Sequence, residues 1–376
     1  MLVGKLKLMP AVRLVLPVQK VLSMVSNRKQ QFIYLVVLLT SFSLVFCQSK
    51  TTQLNTMNKT LKYEWIPSAS APKNFPVEIH RGRFIDAHEE YINIPAGHTL
   101  NEGWGVSGPT HIIGESLKNI PEKLEIVWLS YLEAKFYKGT FDLPSEKIHQ
   151  LFKDGYINRL GKEETYGEIN VGMAPGGLVS VWVVGNGWTT EIDTFKAVEA
   201  NISIQEFAPS ATMSLNAFIK SVLEEDFSDE EKAGMNADDI PFGLWNEYRK
   251  KYQWAVSVDL KSESELTEVY MSFVNGESIY TVPDNDILKT TEKSLPGSVK
   301  LEWKDDKDNL YGAKVFFDFE EIKEAFNILS KVSGEQDIKL SVVIDKYHNI
   351  LSSTLQKEDR KIAIKKALVK VYEISN

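Results

Sequence analysis

Cysteine is almost missing from this chain of 376 residues: Cys47 stands alone. One thiol excludes an internal disulfide framework and any thiolate metal site. Catalytic signatures are missing too. Gly105-Val106-Ser107-Gly108-Pro109 begins like a nucleophile elbow, but Pro109 replaces the small residue that lets the hydroxyl stand exposed on a sharp turn. The run from Gly172 to Gly177 lacks the Gly-Lys-Ser/Thr ending of a phosphate loop and lies between two strand-like runs. His80, His88, His98 and His111 share one segment with Asp86, Glu89 and Glu90, yet no H-E-x-x-H occurs and no spacing sets them on one face. Asp305-Asp306-Lys307-Asp308-Asn309 lacks the glycine and distal glutamate of a calcium loop and reads as a hairpin turn. No catalytic, cofactor-binding or metal-ligating residue is therefore assigned, and no cofactor is expected.

Basic charge is scarce outside the beginning of the chain. Residues 1–47 hold six of the 43 Lys/Arg and none of the 51 Asp/Glu, which leaves the remainder with a formal charge of −14. Phosphate backbones repel so acidic a body, so nucleic acid is not an expected partner. Apolar and charged fractions of 43% and 25% are those of a globular chain, and the length suits two ordinary domains.

Long apolar runs are also lacking. The longest, Phe32 to Phe46, spans 15 residues, short of the roughly 20 that a membrane-crossing helix needs. Preceded by Arg28 and Lys29 and followed by a polar tract, it reads as the core of an export signal. Met24 opens a stretch that is a complete signal by itself, so the expected start is Met24. Leu44-Val45-Phe46-Cys47 resembles a lipobox, although Phe46 departs from the small residue usual there. Two outcomes follow: lipidation of Cys47, or cleavage after it and release as a soluble periplasmic protein. Residues 48–60 then form a flexible tether or a new end.

What is present is self-similarity. Tyr63-Glu64-Trp65 is matched by Tyr252-Gln253-Trp254, and Ile120–Trp128 (IPEKLEIVW) by Leu295–Trp303 (LPGSVKLEW). Aromatic runs follow at Lys135–Asp142 and Leu310–Asp318. Then comes a helical pattern in each copy: Ile148, Leu151 and Phe152 on one face up to Gly155, and Ile322, Phe326 and Leu329 up to Gly334. Asp318 and Glu321 have the spacing of a capping box. Paired strand-like runs close each copy, Glu168–Val184 and Ile338–Leu355. The expected fold class is α+β: two related units of antiparallel sheet plus helix, 61–207 and 252–376, joined by an acidic helical connector, 208–251. Trp65, Trp128, Trp254 and Trp303 fall at equivalent positions, which suits burial better than a sugar-stacking platform.

The Tyr63-to-Pro72 opening, LPxxLxIxWLSYLExKFY-like residues Ile120 to Tyr137, and VGMAPGGLVxVWxxG from Val171 to Gly185 resemble an uncharacterised family of bacterial envelope lipoproteins, a domain of unknown function. The resemblance implies an envelope location, facing periplasm or cell surface, and no established activity. Relatives encoded beside antibacterial secretion effectors imply an immunity role. The expected function is a non-enzymatic, lipid-anchored protein that binds a protein partner in the envelope and touches the membrane through its N-terminus. The alternatives are a hydrolase of an envelope polymer or lipid using carboxylates such as Asp86, Glu89 or Glu133, and a surface glycan-binding module.

Overall fold

A computed structural model describes residues 61–110, 114–281 and 289–374, and Leu61–Asn376 form one compact unit. The leader, Cys47 and the tether lie outside the described residues. No helix among the described residues is long and apolar enough to cross a membrane.

Alternation of apolar and polar residues builds the strands. In Pro296–Asp305 the buried Val299, Leu301 and Trp303 alternate with Lys300 and Glu302, so one face meets a core and the other does not. Leu178–Val184 (LVSVWVV) is apolar almost throughout and is buried on both faces.

The first part of the chain supplies β1 (Ile66–Ser70), β2 (Val77–Ile85), β3 (Lys123–Ser130), β4 (Lys135–Asp142), helix α1 (Ser145–Asp154), β5 (Glu168–Ala174), β6 (Leu178–Val184), β7 (Thr189–Lys196) and β8 (Val198–Ala200). Helix α2 (Leu215–Asp226) and shorter helical turns follow. The second part supplies β9 (Tyr252–Leu260), β10 (Ser264–Phe273), β11 (Ser278–Thr281), β12 (Pro296–Asp305), β13 (Leu310–Phe316), α3 (Phe319–Leu329), β14 (Ile338–Ile344), β15 (Ile350–Lys357), β16 (Arg360–Ile364) and β17 (Leu368–Ile374).

Pairing in the second part repeats that in the first. β1 runs parallel to β5 and β9 parallel to β14, each continued by two antiparallel strands, β6–β7 and β15–β16. Facing each is an antiparallel ladder, β2-β3-β4-β8 or β10-β12-β13-β17. One apolar core lies between the two sheets of the first part and contains Trp65, Ile79, Trp128, Val171 and Val181. The other contains Trp254, Met271, Trp303, Leu340 and Leu355. A single pairing of Thr189 with Ser278 joins β7 to β11, so one nine-stranded sheet, β1-β5-β6-β7-β11-β10-β12-β13-β17, serves both parts.

This architecture corrects the α+β expectation. Among the described residues strands take up 45% and helices 16%, so the fold is mostly β. The helix in each part is not a layer lying on one antiparallel sheet. It is a crossover of ten or eleven residues that lets a strand return parallel to an earlier one and plugs the core with Ile148 and Phe152, or with Ile322, Phe326 and Leu329. The capping box is also only half formed. The Asp318 carboxylate accepts from Glu321 N–H at 2.9 Å, but the Glu321 carboxylate turns to the backbone N–H groups of Lys365 and Lys366.

Four hairpins use one turn. Asp86, Asn158, Asp305 and Asp345 each accept, through one side-chain oxygen, from the N–H groups two and four residues on. The residue three positions on is left-handed in every case: Glu89, Gly161, Asp308 and His348. The Asx side chain fixes the turn by standing in for a backbone acceptor.

Candidate functional site

Besides a hollow between Tyr131 and helix α2, two concavities in the first part carry polar side chains. The smaller lies beside Trp65, at the point where the chain enters β1. Tyr63–Glu64 pairs with Leu117–Lys118, which puts Lys118 opposite Tyr63 and carries Asn119 past the indole. Trp65 Nε1 donates to the Asn119 carbonyl at 3.2 Å, and the ring meets Phe84 edge-on. A cavity of 180 Å³ opens here, with Trp65, Phe84 and Ile92 as apolar wall and Asp86, Lys118 and Asn119 as polar wall.

Each polar group in that wall is more than nine-tenths buried. Asn119 Nδ2 donates to Asp86 Oδ2 at 2.6 Å, while Asn119 Oδ1 has no hydrogen-bond partner. The Lys118 ammonium makes no hydrogen bond or ion pair among the described residues. Burial pushes its pKa below the ordinary lysine value, and the field of Glu64 offsets part of that cost.

The second part builds the same corner differently. Tyr252 pairs with Lys293, and Trp254 Nε1 donates to the carbonyls of Lys293 and Ser294. Here the lysine is satisfied from within. Lys293 Nζ donates to the Trp254 carbonyl and to Thr291 Oγ1, both at 2.7 Å, and lies 5.0 Å from the centre of the Trp254 ring. No carboxylate among the described residues pairs with it, and burial lowers its pKa to about 8.

The larger concavity is a groove of 960 Å³ across the outer face of the β2-β3-β4 ladder. Arg81, Arg83, Lys138 and the half-buried His80 line it, with Glu125, Val127 and Val198. Arg83 is held by Glu125 at 2.7 Å, whereas Arg81 and Lys138 have no ion pair among the described residues. Burial and the neighbouring Arg81 guanidinium hold the His80 pKa below the usual histidine range, against the pull of Glu206. Helix α2 covers the other end of the same face, packing Ile219, Phe218 and Val222 on Leu129 and Phe136.

The residues singled out in the sequence are dispersed. Cys47 and His111 lie outside the described residues. His88 sits in the Asp86 turn and His80 packs against Phe207. No three His, Cys, Asp or Glu among the described residues form a metal-ligand set. Asp305 is the anchor of its hairpin turn, where Asn309 donors pull its pKa down to about 2. Pro175-Gly176-Gly177 turns β5 into β6, with both glycines left-handed. Trp104 of the Gly103–Gly105 loop packs edge-on against Trp182.

The carboxylates named for hydrolysis are occupied, and Glu133 is far from Asp86 and Glu89. Asp86 serves its turn and Asn119, Glu89 meets Lys123, and Glu133 accepts from Ser130, Tyr137 and Gly176 N–H. Asp86 and Glu133 flank opposite ends of the β2/β3 ladder, roughly 25 Å apart at the rise of a strand. Glycoside hydrolysis needs about 5–9.5 Å. Six tryptophans are buried and Trp104 and Trp188 are half-buried, so no exposed indole is offered for sugar stacking.

Of the residues that line the two concavities, His80, Asp86 and Glu90 stand out in the sequence, whereas Lys118, Asn119, Arg81 and Lys138 do not. A signal for the first pair exists: Lys118-Asn119-Ile120-Pro121 aligns with Lys293-Ser294-Leu295-Pro296, just ahead of the repeat match.

No curated protein and no solved structure matches the chain. A family model described as protein of unknown function (DUF2931) matches residues 49–243, more than half of the sequence and all of the part that carries both concavities. The chain is a member of the DUF2931 family.

Proposed function

We propose that the protein is a bacterial envelope lipoprotein, anchored through Cys47, that binds a protein partner without catalysing a reaction, as an immunity factor does. The groove supports the binding half of this reading: cationic Arg81 and Lys138, without an ion pair among the described residues, lie across a sheet face of an acidic body. Such a patch attracts an acidic segment of a partner, with charge complementarity setting on-rate and register. The short apolar leader and its Leu-Val-Phe-Cys ending support the anchor.

Two measurements test it. Metabolic labelling with a fatty-acid analogue is expected to mark the wild type and not Cys47→Ala; equal labelling, or none in either, removes the anchor. Capture from envelope extracts at low salt is expected to retain a discrete protein that Arg81→Glu/Lys138→Glu loses and that high salt releases. Retention unaffected by the double substitution removes the groove as the binding surface.

A further inference from the structure

We infer that the protein associates head to tail with further copies of itself, repeating between molecules the sheet junction that joins its own two parts. That junction takes one edge from each part. β7 supplies the edge of the first part's parallel sheet, and β11 supplies the edge of the second part's ladder. The Ser278 hydroxyl meets Thr189 Oγ1 at 3.2 Å, and the Glu277 carboxylate accepts from the Glu191 N–H at 3.1 Å.

The two parts share one pairing scheme, so each also has the kind of edge that the other contributes. The counterpart of β7 is β16, and the counterpart of β11 is the short strand Tyr91–Asn93, which pairs with β2. The registers match residue for residue. Just after the matched tryptophans, Ile66 faces Glu168 and Ala255 faces Lys339. From there Glu168 leads through Val184 to Thr189, and Lys339 leads through Gln356 to Lys361. Lys361 therefore stands where Thr189 stands, and Ala363 where Glu191 does. On the other side, the matched Lys123 and Ser298 lead through Ile85 to Tyr91 and through Ser272 to Ser278. Tyr91 is the equivalent of Ser278, and Glu90 of Glu277.

Both counterpart edges are open. Among the described residues no strand pairs with the far side of β16 or of Tyr91–Asn93. Lys361, Ala363, Glu90 and Tyr91 are all exposed, Tyr91 at 59%. The charges are opposite: Arg360, Lys361, Lys365 and Lys366 line β16 and its exit, whereas Glu89 and Glu90 lead into Tyr91. Arg83, the cation beside Tyr91, is held by Glu125, and Glu89 is shared with Lys123. Two β16 edges would set their basic residues against each other, so charge selects the unlike pairing. An unlike pairing does not close on itself and gives open chains of molecules. Ala363 has no carboxylate for a clamp like that of Arg249 on Glu191, so the contact between molecules is weaker than the internal one and in the micromolar class. The inference does not rest on the groove, although Tyr91 and Asn93 border its end.

Disulfide trapping tests this on the chain carrying Cys47→Ala, so that no native thiol competes. Opposed positions on paired strands lie about 4.5–5.5 Å apart between Cα atoms, within disulfide reach. Mild oxidation of a mixture of Tyr91→Cys and Lys361→Cys proteins is expected to give a covalent dimer, and the double variant a ladder of dimers, trimers and longer species. No trapped dimer in the mixture overturns the inference. So does equal trapping when either single variant is oxidised alone, or when Lys361→Cys is mixed with the exposed control Leu160→Cys. Sedimentation of the Cys47→Ala chain gives a second readout without engineered thiols. Association is expected to grow with concentration, to weaken about tenfold in Glu90→Lys or Lys361→Glu, and to return when both reversals are combined in one chain. A monomer at every concentration up to about 1 mM, or a combined reversal that restores nothing, also overturns it.

Discussion

The two lysines that follow the loop into each repeat, Lys118 and Lys293, occupy one position in one pairing scheme and yet have opposite surroundings. Lys293 is closed in by its own carbonyls, hydroxyl and indole face. Lys118 is less enclosed, makes no hydrogen bond or ion pair among the described residues, and borders a cavity. The same contrast holds on the outer faces. Helix α2 covers part of the first part's outer ladder and leaves a groove beside it. The copy that lies within the DUF2931 match is the one that leaves buried side-chain polar atoms such as Asn119 Oδ1 and both atoms of the Asn170 amide without a hydrogen bond, whereas Lys293 in the other copy is satisfied from within.

The comparison can be broken in several ways. The largest effect is expected from the indoles. Trp254 is packed on every side, so Trp254→Ala should cost about 4 kcal/mol, and Trp65→Ala measurably less because Trp65 already borders empty space. Urea denaturation checks this, and equal losses would mean that the two corners pack alike. Next comes the junction. Glu191, 7% exposed, is held by Arg249 at 3.0 Å near the Thr189–Ser278 link, so Arg249→Ala strands a buried carboxylate at about 3 kcal/mol. If the junction couples the halves, the variant should unfold in two steps by calorimetry where the wild type shows one.

Smaller effects appear only as pH changes. The Lys293 pKa is about 8 in the fold and near 10.5 unfolded, so between these values the unfolded chain holds the extra proton. Stability should therefore rise with pH across that window, by an amount on the order of 2 kcal/mol, and Lys293→Met should remove the rise in melting temperature. Lys118 is lowered in the same direction with Glu64 opposing the shift, and Lys118→Met should remove a smaller part of the rise. The smallest effect is at His80. With its folded pKa depressed, the unfolded state protonates first as pH falls through about 6.5, so stability drops there. His80→Gln should flatten the melting curve between pH 7 and 5.

Local structure was legible where the pattern is local. The helices around Ile148–Phe152 and Ile322–Leu329, the strand pairs of Glu168–Val184 and Ile338–Leu355, and the hairpin turn at Asp305 all follow from periodicity and turn chemistry over short spans. The class was not. Val77–Ile85 and Ser264–Phe273 alternate only loosely, with a bulge in each ladder, so the facing sheets were not counted and two short crossovers were mistaken for a layer. The site was hidden for a different reason. Lys118 and Arg81 are ordinary residues until pairing buries one and lines a groove with the other, and no spacing along the chain encodes that.

The parallel contact of β1 with β5 has a kinetic implication. Ile66 lies opposite Glu168, so the first strand cannot find its neighbour until roughly a hundred more residues are available. The same wait recurs when Trp254 in β9 must meet Ile338. Acquisition of structure during synthesis is postponed by these long loop closures, and refolding from denaturant belongs in the millisecond-to-second class of β-rich chains. A polypeptide slow to close its cores stays extended for longer, which is the state in which it can be threaded through a narrow pore.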